Sequence, residues 1–128
     1  MILDTSAAVD LVLVYEPAEW VEEQLRNASD VHAPHLLDVE VIGALRKQVQ
    51  ARLVTARRAG EALLDFADLR VRRYAHRPFL GRMWELRDNL SSSDAAFVVL
   101  AEALGMPLVT TDLRLARTPG LKIEIRTP

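Results

Sequence analysis

Short apolar runs alternate along the chain with longer segments in which apolar residues recur at helical spacing. The short runs predict five strands, at residues 1–4, 30–34, 70–76, 107–112 and 121–126. The longer segments predict helices at residues 6–15, 17–28, 35–53, 55–69, 78–90 and 91–105, with a short helix or turn at 113–120. Strands that alternate with helices in this way are typical of a parallel sheet covered on both faces.

Local signals sharpen several of these elements. Thr55 is a typical residue to begin a helix, and Gly105 is a typical residue to end one. Trp20, Trp84 and Phe97 lie within helical apolar patterns, so we expect all three in the core.

The chain length and this element order predict one domain at residues 1–128. The predicted fold is a three-layer α/β/α sandwich with a central parallel sheet of about five short strands. In such sheets, ligands bind beyond the carboxyl ends of the strands, near the point where the strand order reverses.

The composition excludes several kinds of catalytic and metal site and indicates where in the cell the protein is located. The chain contains no cysteine, which excludes disulfides, thiolate zinc sites and cysteine nucleophiles. No apolar run approaches the ~20 residues of a membrane span, and no signal-peptide pattern opens the chain. We therefore expect a cytoplasmic protein without membrane contact.

Four acidic residues are placed to converge at the carboxyl edge of the predicted sheet. Asp4 and Asp112 each end a strand, Asp94 opens a helix, and Glu40 lies in the helix that follows the second strand. Several carboxylates in one cleft repel one another unless a cation compensates them. Hard oxygen ligands suit Mg²⁺ or Mn²⁺, which can activate a water and stabilise charge on a phosphate.

Helix capping is an alternative interpretation for three of these acids. Asp4 and Asp112 are both suited to cap the elements that follow them. Asp94 stands at the fourth position of a capping box in which Ser91 is the cap. The spacing alone does not decide between capping and metal binding.

Glu40 is the least certain of the four acids on physical grounds. Asp38 is two residues away and points to another side of the same helix, so only one of the two faces the cleft. Ser6 and Thr110 lie beside two of the acids and are expected to hydrogen-bond the carboxylates, or else to cap strand ends.

The charge is distributed unevenly. Residues 46–87 contain 11 basic and 4 acidic side chains, whereas the whole chain has a net charge of −2. This segment either contacts phosphates or forms the solvated outer faces of helices. Arg87 and Asn89 have the same two interpretations, and we expect His32 and His35 to be structural or surface residues.

Three segments resemble the PIN-domain nucleases and, within them, the VapC-type toxins of bacterial toxin–antitoxin pairs. They are "ILDTSAAVDL", "LLDVEVIGALRK" and "DNLSSSDAAFVVLAEALGMPLVTTDLRLAR". The resemblance covers essentially the whole chain. Its most specific part is an acid that opens an apolar helix, followed by a glycine and a strand that ends in Thr-Asp.

The resemblance assigns roles to individual residues. The four acids of the family match Asp4, Glu40, Asp94 and Asp112, which selects Glu40 over Asp38. Ser6 and Thr110 match its usual hydroxyl positions. The chain departs from many relatives at Ser93, where they have an aromatic residue before the third acid.

The resemblance implies a Mg²⁺- or Mn²⁺-dependent endoribonuclease toxin. Such a toxin cleaves a structured RNA, either tRNA or ribosomal RNA, and thereby inhibits translation. It is usually a homodimer and is neutralised by a cognate VapB-type antitoxin. The alternative is a catalytically silent PIN-fold module that only binds a partner. A phosphatase of the haloacid-dehalogenase type is disfavoured, because "DTS" lacks the second acid of its D-x-D motif.

Overall fold

The sheet is built from five short parallel strands. In the computed structural model, which describes residues 1–128, these are β1 (Ile2–Leu3), β2 (His32–Pro34), β3 (Arg72–Tyr74), β4 (Leu108–Val109) and β5 (Ile125–Arg126). Their spatial order is β3-β2-β1-β4-β5, and every neighbouring pair is parallel. The predicted parallel sheet is therefore confirmed, with β3 at one edge.

Seven α-helices connect and follow the strands. They are α1 (Thr5–Leu13), α2 (Ala18–Asn27), α3 (Leu36–Gln50), α4 (Ala56–Asp68), α5 (Leu80–Glu85), α6 (Ser92–Leu104) and α7 (Leu113–Ala116). Thr55 caps α4 through its side chain, as predicted. Gly105 ends α6 with a φ of +61°, a left-handed conformation that glycine adopts without steric cost. None of the helices is long and apolar enough to cross a lipid bilayer.

The helices cover the sheet from both sides. The chain moves from β1 to β2 to β3 in one direction, then crosses back to place β4 on the other side of β1. Since parallel crossovers are right-handed, this reversal puts α1–α4 on one face and α5–α6 on the other. Helices α1–α4 pack on one another, while α6 packs directly on β1, β2 and β4. The structure is thus the predicted three-layer sandwich.

The core lies between these layers, and one predicted core residue is absent from it. Ile2 and Leu108 are fully buried in the central strands, and Phe97 of α6 is 1% exposed. Trp20 packs against the core while partly exposed. The prediction for Trp84 was wrong, because this side chain is 69% exposed. It lies on α5, a short helix outside α6, where no further layer covers it.

Candidate active site

The reversal of strand order brings the first and fourth strands together. In the register of β1 and β4, Leu3 is paired with Val109, so Asp4 and Thr110 leave the sheet side by side. The Asp4 backbone N–H donates to the Val109 carbonyl at 3.0 Å. The strand ends that carry Asp4 and Asp112 therefore meet at the point where ligands bind in open parallel sheets.

Asp4 is a buried carboxylate that two hydroxyl groups hold in place. It is 7% exposed, and the hydroxyls of Ser6 and Thr110 donate to its Oδ2 at 2.6 and 2.7 Å. None of the seven ion pairs of the chain involves Asp4. Burial raises the pKa of Asp4 above its usual value, although the two hydroxyl hydrogen bonds act to lower it. The site thus holds a carboxylate that is costly to ionise without a cation.

The same two hydroxyls position the turn that follows β4. The Thr111 N–H donates to Ser6 Oγ at 3.0 Å, and the Asp112 N–H donates to Thr110 Oγ1 at 3.0 Å. Each hydroxyl has one proton, and that proton is directed at Asp4. Each hydroxyl therefore relays a hydrogen bond from the turn to Asp4, which fixes the backbone of Asp112 relative to the Asp4 carboxylate.

Asp112 caps α7 and also pairs with an arginine. Its Oδ1 accepts the Arg114 N–H at 2.8 Å, and its Oδ2 lies 2.7 Å from Arg114 Nη2. Burial acts to raise the pKa of Asp112, but the hydrogen bonds and charge of Arg114 outweigh it, so the pKa is lowered. The hydrogen bond to Asp112 and the charges of Asp112 and Asp94 raise the pKa of Arg114. Asp94 is therefore close enough to interact electrostatically with the same guanidinium.

Asp94 lies in the first turn of α6, and its carboxylate accepts no hydrogen bond within the chain. Its backbone N–H donates to the Ser91 hydroxyl at 3.1 Å, as in a capping box. The return hydrogen bond from Ser91 to the Asp94 carboxylate does not form, so the capping box is only half made. The carboxylate of Asp94 remains available for a ligand.

Glu40 and Asp38 have different partners in the structure. Glu40 Oε2 accepts a hydrogen bond of 2.6 Å from the hydroxyl of Thr5, the residue after Asp4. Asp38 forms a two-pronged ion pair with Arg73 of β3, with a shortest distance of 2.8 Å. Glu40 therefore lies beside the Asp4 turn, whereas Asp38 is engaged by the edge strand.

Comparisons with known proteins agree on one family. The sequence model of the family described as PIN domain matches residues 1–121. The chain is 42% identical over 125 residues to "Ribonuclease VapC12" of Mycobacterium tuberculosis, covering 98% of this chain and 96% of that protein. The chain is a member of the PIN domain family. Its similarity to VapC12 places it with the VapC proteins of that family.

Solved structures share the PIN fold. The crystal structure of PAE2754 from Pyrobaculum aerophilum superposes with a TM-score of 0.69 at 25% identity, covering 97% of this chain and 81% of that one. The VapBC2 structure from Rickettsia felis, solved with a DNA fragment from its promoter, gives 0.67 at 16% identity and covers 98% and 96%. These structures support the fold derived from the strand order.

Sequence reasoning missed three residues of this PIN domain site. Thr5 binds Glu40, Thr111 binds both Ser6 and Asp10, and Arg114 pairs with Asp112. Each lies within two residues of a predicted acid. A polar or basic residue close to a predicted acid is a signal that "DTS" and "TTDLR" both contain. Besides the acids, only the hydroxyls of Ser6 and Thr110 are predicted from these segments.

The donors at this edge match the chemistry of a hard divalent cation, although they are not gathered into a ready-made site. No three His, Asp or Glu side chains of the chain are placed together to hold a metal. Asp112 is turned to Arg114 and Glu40 to Thr5. Oxygen ligands alone, with a buried and unneutralised Asp4 among them, fit Mg²⁺ or Mn²⁺ rather than a softer metal.

The basic segment 46–87 is not one continuous surface around the site. Four of its arginines are paired within the chain, namely Arg57, Arg58, Arg73 and Arg82. Arg70 and Arg72 line a pocket with Asp30 at the amino ends of β2 and β3, opposite the acids. Arg87 and Asn89 are exposed and lie shortly before α6, whose first turn carries Asp94.

His32 takes a structural position and His35 a surface position, as expected. His32 is 4% exposed, and its Nδ1 lies 2.9 Å from the Tyr74 hydroxyl. His35 is exposed at the start of α3. Neither imidazole is hydrogen-bonded to any of the four acids.

Proposed function

We propose that this PIN domain protein is a divalent-metal-dependent endoribonuclease toxin. Its substrate is a structured RNA, either tRNA or ribosomal RNA, whose cleavage inhibits translation. Asp4, Glu40, Asp94 and Asp112 hold Mg²⁺ or Mn²⁺ at the carboxyl edge of the sheet. The observation that carries the proposal is the buried Asp4 carboxylate, which two hydroxyls orient and no basic side chain neutralises.

Each part of the site has a distinct task. When bound, the metal lowers the pKa of a water and offsets negative charge on a phosphate. Ser6 and Thr110 favour the ionised form of Asp4 and keep its Oδ2 occupied. Thr110 also fixes the backbone of Asp112, and Thr5 holds Glu40 beside the first strand. The chain therefore contributes orientation and charge rather than a histidine base.

The proposal also includes an antitoxin, a second copy of the chain and a cytoplasmic location. A cognate VapB-type antitoxin neutralises the enzyme, and the enzyme itself is a homodimer. The similarity to VapC12 and the fold shared with the VapBC2 structure support the antitoxin partner. A cytoplasmic location fits an RNA substrate and a chain without cysteine.

The alternative of a catalytically silent binding module accounts for Asp4 only as the cap of α1, in which the Ser6 N–H donates to Asp4 Oδ2 at 3.4 Å. Keeping Asp4 buried without a counter-charge costs stability when the group is ionised. An asparagine at that position would still accept the hydrogen bonds of Ser6 and Thr110 and would avoid the cost. The presence of the Asp4 carboxylate together with Glu40, Asp94 and Asp112 favours catalysis.

Cleavage of total cellular RNA by the purified protein tests the proposal. We expect discrete fragments with Mg²⁺ or Mn²⁺, none with EDTA, and none from the Asp4→Asn variant. Mapping the fragment ends would identify the target RNA. A folded, antitoxin-free preparation that cleaves no RNA with either metal would contradict the proposal.

A further inference from the structure

An exposed tryptophan and an arginine form a stacked pair at the end of α5. Trp84 is 69% exposed, and the Arg87 guanidinium lies 4.6 Å from the centroid of its ring. Arg87 Nη1 also donates to the Trp84 carbonyl at 2.9 Å. This second contact fixes the guanidinium against the indole, so a large aromatic surface and a positive charge are held together in solvent.

The pair borders a pocket between α5 and the start of α6. The pocket has a volume of about 440 Å³, and Trp84, Arg87, Leu90, Ser91 and Ser92 are among the residues that line it. It thus combines an aromatic face, a charge and two hydroxyls. Arg87 has no carboxylate partner among the ion pairs of the chain.

The chain topology places this pocket beside the acids. Helix α6 leads into β4, which begins at the amino edge of the sheet, so α6 itself begins at the carboxyl edge. Asp94 is two residues beyond Ser92 in the first turn of α6. The pocket therefore flanks the edge that carries Asp4 and Asp112.

We propose that this pocket binds an unpaired nucleobase of the RNA substrate. The base stacks on Trp84, and Arg87 neutralises a neighbouring phosphate. Single-stranded bases stack on aromatic side chains whatever their sequence, and arginine adds an electrostatic contribution. The inference rests on the proposed ribonuclease function. It adds a site that binds a loop or bulge of the RNA next to the cleaved bond.

A second copy of the chain is a less suitable occupant of this pocket. An interface between copies would have to bury the Arg87 guanidinium, and burial of an unpaired charge is costly. A nucleotide satisfies both halves of the pair, because its base is planar and its phosphate is negative. Charge complementarity therefore favours RNA.

Tryptophan fluorescence during titration with octaadenylate, in EDTA to prevent cleavage, tests the proposal. The chain has only two tryptophans, so a Trp20→Phe variant reports on Trp84 alone. We expect octaadenylate to quench this variant. Anisotropy of fluorescein-labelled octaadenylate, which needs no tryptophan, gives the affinities of the variants. We expect Trp84→Ala to weaken binding roughly 5- to 150-fold, the range measured for loss of one stacked base. Trp84→Phe should recover most of the affinity.

Control variants and an independent measurement distinguish the possible failures. Leu64→Ala removes an apolar side chain of similar exposure (68%) on α4 and should leave affinity unchanged. Wild-type affinity in Trp84→Ala would overturn the nucleobase site while leaving the ribonuclease function intact. Conversion of a wild-type dimer to a monomer by Trp84→Ala in analytical ultracentrifugation would identify a second copy as the occupant and overturn the proposal. If the wild type neither binds nor cleaves any RNA, the proposed function itself fails.

Discussion

Replacing Thr110 by valine tests the hydroxyl relay at its centre. Thr110 is fully buried between β1 and the turn after β4. Valine keeps nearly the same shape, so the change removes the hydroxyl without opening a cavity. Asp4 loses the 2.7 Å hydrogen bond, and the Asp112 N–H loses its acceptor at 3.0 Å.

The expected cost follows from these two losses. A hydrogen bond to a charged group contributes about 1.5–3 kcal/mol, and an unpaired buried donor costs about 1–3 kcal/mol. Because Asp112 is only partly buried, we expect a total loss of about 2–4 kcal/mol in the free energy of unfolding at neutral pH. For a chain of this size the loss lowers Tm by roughly 6–16 °C, which calorimetry in EDTA measures.

The pH dependence gives the same experiment a second readout. The Thr110 hydrogen bond favours the ionised form of Asp4 and so lowers its pKa in the folded state. The deficit of Thr110→Val should therefore be largest when Asp4 is ionised and shrink as the pH falls and Asp4 is protonated. Thr110→Ser, which keeps the hydroxyl, should retain this pH dependence. A Thr110→Val variant as stable as the wild type at neutral pH would refute the relay.

Four further substitutions test other parts of the site. Burial raises the folded-state pKa of Asp4, so its stabilising contribution is present below the unfolded pKa and lost as pH rises through the folded pKa. In EDTA at neutral pH, Asp4→Asn should therefore have a higher melting temperature than the wild type, and Mn²⁺ should not raise it further. A melting temperature below that of the wild type would count against this. Glu40→Gln should reduce RNA cleavage at least about tenfold, a loss of about 1.4 kcal/mol. Asp38→Asn should cleave RNA like the wild type and cost at most about 1 kcal/mol of stability in urea unfolding. If Glu40→Gln and Asp38→Asn lost cleavage equally, the distinction between the two acids would be wrong. Arg114→Ala should strengthen Mn²⁺ binding in calorimetric titration by releasing Asp112, and unchanged affinity would show that the ion pair does not compete.

Much of the site could be predicted because strand ends are visible in the sequence. A buried apolar pair followed by hydroxyl and acidic residues marks the carboxyl end of a parallel strand, as at Leu108-Val109 and Ile2-Leu3. The sequence leaves capping and ligand binding as alternatives for Asp112, but one carboxylate can do both. A carboxylate has two oxygens, and capping uses only Oδ1 of Asp112, while Oδ2 is paired with Arg114 and would have to exchange that partner for a metal.

Other features depend on tertiary contacts that no local pattern contains. Helical spacing cannot separate Glu40 from Asp38, because the deciding partners, Thr5 and Arg73, are distant in sequence. Trp84 fits an apolar helical pattern, but its exposure depends on whether another layer covers α5. The charge of residues 46–87 cannot be assigned to one surface, since strand direction distributes it between opposite edges of the sheet.

The Mn²⁺ affinity of the Asp94→Asn variant tests whether the four acids form a metal site. The Asp94 carboxylate accepts no hydrogen bond and forms no ion pair within the chain. The change should therefore lower Tm in EDTA only slightly, through the loss of a negative charge near Arg114 and the start of α6. We expect Mn²⁺ to bind the wild type and the exposed control Asp88→Asn equally, and Asp94→Asn at least about tenfold more weakly. Equal Mn²⁺ affinity in all three proteins would contradict a metal site built from these acids.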